Sequence, residues 1–120
     1  MLSLPSAVRI FLCREATDMR KGFDTLAARV REVLRADPLS GHLFVFRNRR
    51  GDRVKLLYWD REGFCIWYKR LEKGVFRLPI AGEGGVSSAE IGRRELAMML
   101  EGVDLRQARQ QKRFELRKTC

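Results

Sequence analysis

The chain reads as an α+β domain: an antiparallel meander sheet of four to five strands, with a long helix packed on one face and a shorter C-terminal helix. Three observations point there. Short β-branched and aromatic runs follow one another from Leu43 to Leu78, separated only by turn residues. A helical apolar stripe precedes these runs and another follows them. The runs lie too close together for crossover helices between them, so antiparallel neighbours are expected.

Taken in order, Val8–Cys13 is a short apolar run and reads as a strand. Glu15–Lys21 is polar and contains Thr17 and Asp18, which reads as a turn. Phe23, Leu26, Ala27, Val30, Val33 and Leu34 then form one helical stripe. Arg29, Arg31, Glu32 and Arg35 fall off it toward water, and Pro38 limits the helix. Leu43–Arg47 and Arg53–Trp59 read as strands joined by a turn at Asn48–Asp52. Asp60-Arg61-Glu62-Gly63 predicts a type I turn closed by a left-handed glycine. Phe64–Leu71 and Val75–Leu78 complete the meander, with a turn at Gly74, and Ala81–Gly85 is a glycine-rich loop.

The second helix has two possible starts. Ser87 with Glu90 forms one capping box, and Gly92 with Glu95 the other. The later start is preferred because it aligns Leu96, Met99, Leu100 and Val103, with Gly102 as C-cap. Residues 1–104 are expected to form a single compact domain. Residues 105–120 carry Arg106, Arg109, Lys112, Arg113, Arg117 and Lys118, and are expected to be a basic helix or tail.

Composition narrows the function. The 120 residues are 45% apolar and 33% charged, a globular balance. A formal net charge of +10 points to a polyanionic partner, nucleic acid before an anionic membrane surface or an acidic protein. No segment has the apolar length of a membrane span, and the N-terminus does not pattern as a signal peptide. Cys13, Cys65 and Cys120 are odd in number and widely spaced, which disfavours a disulfide framework or a zinc site and suits the cytoplasm.

The candidate contacts are cationic and aromatic. A three-residue loop pairing Asp60 with Phe64, and a hairpin pairing Phe46 with Val54, set the expected register. Val54, Leu56, Tyr58, Phe64, Ile66, Tyr68, Phe44 and Phe46 then share an apolar face beneath the first helix. The other face takes Arg47, Arg53, Lys55, Leu57, Trp59, Trp67 and Lys69. Cations there would meet phosphates, and the indoles would stack on bases or sugars. The alternative packs Trp59 and Trp67 under the second helix and leaves the cations as a solvated rim. Arg47, Arg49, Arg50 and Arg53 crowd one hairpin tip, and arginine's fork suits phosphate. Arg20 and Lys21 sit before the first helix, placed to hold an anion or to pair with Asp18 or Asp24.

Catalysis is not expected. His42 is the only histidine, and no serine or cysteine nucleophile stands in a motif with it. Asp18, Asp24, Asp52 and Asp60 each read more simply as caps or turn residues than as magnesium ligands. Gly82, Gly84 and Gly85 match no phosphate-loop fingerprint. No cofactor, metal or small-molecule substrate is expected, and no helix-turn-helix is evident.

Thr17-Asp18-Met19-Arg20-Lys21-Gly22-Phe23-Asp24 resembles the signature of the small TnpB-type accessory protein of one large class of bacterial insertion sequences, the class numbered sixty-six. Gly41–Phe46, Arg49-Arg50-Gly51-Asp52, Lys55, Trp59–Gly63, Lys69–Glu72 and Leu100-Glu101-Gly102 extend the resemblance. It runs from about Leu4 to Arg106. These proteins are distinct from the RNA-guided nucleases that share the TnpB label. The resemblance implies a role in transposition beside a separate, larger transposase, and supplies no catalytic residues. The expected function is therefore a non-catalytic, DNA-binding accessory protein, with DNA and the element's other proteins as partners. The alternative is a module that recruits or regulates the transposase without touching DNA. Gly92 departs from the hydroxyl residue expected to cap the last helix.

Overall fold

A computed structural model describes residues 4–79 and 88–102. The architecture is α+β, with a five-stranded mixed sheet carrying one helix on each face. In chain order the elements are β1 (Ile10–Cys13), α1 (Phe23–Glu32), β2 (Leu43–Arg47), β3 (Arg53–Asp60), β4 (Gly63–Arg70), β5 (Ser88–Ile91) and α2 (Arg93–Glu101). The strand order is β4-β3-β2-β1-β5. The expected glycine loop at Ala81–Gly85, the Ser87 box, Val103 and the tail at 105–120 lie outside the described residues.

Two expectations about the architecture are corrected. The sheet is not a pure meander, because β1 and β2 run parallel, with Phe11 opposite Phe44. Their connection passes through α1, as parallel neighbours require. The first helix is not long: it spans 10 residues and ends well before Pro38. The N–H groups of Val33 and Leu34 both reach the Arg29 carbonyl, and Arg35 turns into the left-handed region at φ 54°. Phe23, the first apolar residue of the stripe, is 50% exposed, while Leu26, Ala27, Val30 and Leu34 are buried.

The strand inventory changes as well. Val75–Leu78 is not a strand: Val75 makes an isolated bridge, and buried Phe76 donates its N–H to the Gly51 carbonyl at 2.7 Å. The fifth strand is instead β5, antiparallel to β1 with Ile10 opposite Ile91. The preferred start of α2 holds. Gly92 is its N-cap, and Glu95 Oε1 accepts the Gly92 N–H at 3.2 Å. Gly102 closes the helix at φ 77°.

Both hairpin registers slip by one residue. Phe46 pairs with Lys55 rather than Val54, and Asp60 pairs with Gly63 rather than Phe64. The left-handed residue of the second turn is Arg61, at φ 48°, and not a glycine. A one-residue slip turns side chains to the opposite face. Here it happens on both sides of β3, so β3 alone is inverted relative to its neighbours. Phe44, Phe46 and Leu57 are buried with α1, with Phe64 and Ile66 packed against them. Val45, Val54 and Leu56 are buried with α2 beside Ile10, Leu12, Leu43 and Phe76.

Candidate nucleic-acid interface

The parallel pairing of β1 and β2 sends both strands out of the sheet at the same end. The loop after β1 carries Asp18 and Arg20, and the turn after β2 carries Arg49 and Arg50. Thr17 joins the two, since its N–H donates to the Arg47 carbonyl at 2.9 Å. Between them lies a cleft of about 570 Å³, lined among others by Asp18, Arg20, Arg49, Arg50, Asp52 and Arg53. Ligand sites at the carboxyl ends of parallel strands follow the same logic, because diverging loops leave a crevice there.

Local chemistry shapes each wall. In the first loop, Asp18 accepts the Arg20 backbone N–H at 2.9 Å, and its carbonyl accepts the Lys21 N–H at 3.1 Å. This is the turn geometry that aspartate favours. The Arg20 guanidinium also grips the carboxylate, with Nη2 2.7 Å from Oδ2. These hydrogen bonds hold the Asp18 carboxyl down at about 2 and raise the Arg20 guanidinium. A carboxylate depressed in this way keeps its pairing above its ordinary value and loses it only as pH falls toward about 2, so the pair is intact at neutral pH.

In the second loop, Asn48 is the framework. Its Nδ2 donates to Asp52 Oδ1 at 2.7 Å, its Oδ1 accepts the Arg53 N–H at 3.0 Å, and its carbonyl accepts the Gly51 N–H at 3.1 Å. The bond from Asn48 draws the Asp52 carboxyl below its usual range. Gly51 sits at φ 80°, where a side chain is strained, and a Cβ there would stand 2.5 Å from Arg47 Nη2. The tip is fixed from behind as well, since the Asp52 carbonyl accepts the Leu71 N–H at 2.8 Å. Arg49 and Arg50 therefore project from a braced turn. Both are exposed, and among the described residues neither forms a salt bridge.

Of the ten residues expected at a nucleic-acid surface, the structure brings Arg20, Arg49, Arg50 and Arg53 to this cleft. Lys21 is next to Arg20 and half-buried, and its carbonyl accepts from Lys55. Arg47 belongs to a small neighbouring hollow, and burial pushes its guanidinium down from its usual value. The remaining four do not form the expected basic and aromatic face. Lys55 is buried, with Nζ 2.7 Å from the Met19 carbonyl. Lys69 donates to the Leu100 carbonyl near the C-terminus of α2 at 3.0 Å. Trp67 packs into the α2 cluster, whereas Trp59 meets Phe64 edge-on at 5.0 Å, on the other face of the sheet. The register slip separates the two indoles, so the alternating face does not exist.

Sequence reasoning missed the scaffold: Thr17, whose N–H ties the two loops together, and Asn48 with Asp52, which brace the second. Asn48 and Asp52 carried a turn signal, but their mutual contact had none. Of the aspartates considered as magnesium ligands, Asp18 and Asp52 both line the cleft, and each already has a partner. Asp18 faces Arg20 and Asp52 faces Asn48. No trio of histidine, cysteine or acidic side chains is grouped for a metal among the described residues. No helix among them is long and apolar enough to cross a membrane.

Fold and site together define a small basic α+β domain with an arginine-lined cleft at the carboxyl ends of a parallel strand pair. The chain belongs to the family of IS66 Orf2 like proteins, whose family model matches residues 8–110. It is an insertion-sequence-associated accessory protein. Two proteins of Sinorhizobium fredii are similar to it. The uncharacterized protein y4hO is 44% identical over 105 residues, spanning 86% of this chain and 89% of its own. The uncharacterized protein y4jC is 34% identical over 104 residues, spanning 87% and 86% respectively. No solved structure matches the chain.

Proposed function

We propose that this accessory protein acts without catalysis in insertion-sequence transposition, in the cytoplasm, by binding DNA through the cleft. The observation that carries the reading is the convergence of Arg20, Arg49, Arg50 and Arg53 on one braced crevice from two loops distant in sequence. Guanidinium forks suit phosphate oxygens, and cations that neutralise phosphates release counterions. Asp18 and Asp52 are occupied by Arg20 and Asn48, so they orient the site more than they repel the backbone. The larger transposase of the same element is the second proposed partner.

Fluorescence anisotropy of the protein with a labelled insertion-sequence end and a scrambled duplex, across a salt series, tests this. Wild type is expected to bind with steep salt dependence. Arg49→Ala/Arg50→Ala is expected to lower the log–log salt slope by about 2, one phosphate contact per arginine. Equal affinity and slope for the double variant would remove the cleft from the interface. No binding by wild type even at low salt would overturn DNA contact and favour recruitment of the transposase. Met98, 63% exposed on α2, is the first surface position to test for that contact.

A further inference from the structure

Another hollow, of about 440 Å³, is lined by Arg53, Tyr68, Arg70 and Glu72. Arg53 lines both this hollow and the cleft, so one residue borders the two. Arg53 and Arg70 are opposite each other across β3 and β4, and Tyr68 is opposite Lys55, so all four share the α1 side of the sheet. We infer that this hollow is a stacking subsite for an unpaired base of single-stranded DNA, with Tyr68 as the stacking ring and Arg53 passing the backbone to the cleft. The inference rests on the DNA-binding reading above and adds the form of DNA that the site prefers.

Tyr68 is built as a stacking surface. It is 47% exposed, yet it is held at two points. The Arg53 Nη1 is 3.3 Å from its hydroxyl, and the Lys55 ammonium stands 4.8 Å from its ring centroid. Lys55 is itself fixed by the Met19 and Lys21 carbonyls. A ring already held in place loses little freedom when a ligand stacks on it. Arg70 pairs with Glu72 at 2.9 Å, which leaves Arg53 as the cation free of salt bridges among the described residues lining this hollow. Aromatic stacking in this way needs an exposed base face, and a duplex hides those faces within its own stack. An unpaired strand offers base face and phosphate together, which is the pairing of chemistries that single-strand binders use.

The test is anisotropy of a labelled oligothymidine strand and of a labelled duplex with wild type, Tyr68→Ala, Tyr68→Phe and Arg49→Ala/Arg50→Ala, each verified as folded by circular dichroism. Tyr68→Ala is expected to weaken single-strand binding on the order of 10-fold and duplex binding less than about twofold. Tyr68→Phe, which keeps the ring and loses the hydroxyl, is expected to stay near wild type. The arginine double variant is expected to weaken both. Unchanged single-strand affinity in Tyr68→Ala, or equal losses on both forms of DNA, would overturn the stacking subsite. So would a Tyr68→Phe variant as weak as Tyr68→Ala. In those cases a loss in the arginine double variant would leave the cleft reading standing. Wild type that binds neither form would overturn the cleft reading itself.

Discussion

Lys55 is a cation at only 8% exposure in the middle of a sheet. It persists because its ammonium donates to two backbone carbonyls, Met19 at 2.7 Å and Lys21 at 2.8 Å, and lies against the Tyr68 ring. A buried charge without such partners is costly, and carbonyls that lose a charged donor are costly too. The side chain therefore pins the turn that presents Arg20. Lys55→Met is expected to lower stability by about 2 kcal/mol, read as a shift in the urea midpoint at constant m value. A loss below about 0.5 kcal/mol would mean that water replaces the ammonium at both carbonyls. In the sequence Lys55 was legible as a cation, and its charge pointed to phosphate. Its true partners lie 34 and 36 residues away in the chain, beyond any local signal.

At the scale of elements, α2 was legible because capping and periodicity agree. Gly92 precedes the stripe of Leu96, Met99 and Leu100, and Glu95 returns to its N–H. Gly92 has extended backbone, at φ −84° and ψ 169°, and makes no side-chain cap bond. A Cβ there would stand 3.4 Å from Glu95 Oε1, an ordinary contact. Gly92→Ser is thus expected to raise stability by about 0.3 kcal/mol, the modest advantage of serine over glycine at an N-cap, measured by thermal melting. A decrease would show that the added hydroxyl displaces Glu95. The strand β3 was legible as a strand but not in its facing. Val54, Lys55, Leu56 and Leu57 are all buried, so the run has no alternation from which to choose a face. Its orientation then depended on the two flanking turns, and a single residue of turn length inverts it.

At the scale of the molecule, the decisive contact is β1 against β2. It places β2 third in a sheet of five strands, with a helix on each face. Backbone N–H groups at the centre of a sheet open only in large unfolding events, whereas edges open locally. Amides of Phe44, Val45 and Phe46 are expected to exchange slowest in native-state hydrogen exchange, and those of β4 and β5 faster. Slowest exchange in β4 would contradict the strand order. The same pairing explains why the cleft was only half visible beforehand. Each basic loop was identifiable from its own composition. Their meeting depends on two strands lying side by side and parallel, and a reading of consecutive hairpins offered no reason for β1 to join there.

The sequence by itself determined the elements that local physics controls: the buried stripe of α1 from Leu26 to Val30, the capped start of α2, three strands between Leu43 and Arg70, and a net charge of +10 with arginines concentrated at one turn. It also carried the family signature. Tertiary structure alone decided the parallel β1–β2 pair, the recruitment of Ser88–Ile91 as an edge strand, the inversion of β3 and the assembly of two loops into one cleft. The division has a physical cause. Periodicity and capping act over a few residues and leave a mark in the chain, whereas strand order and register are settled by burying two apolar faces at once, a global condition that no single segment records.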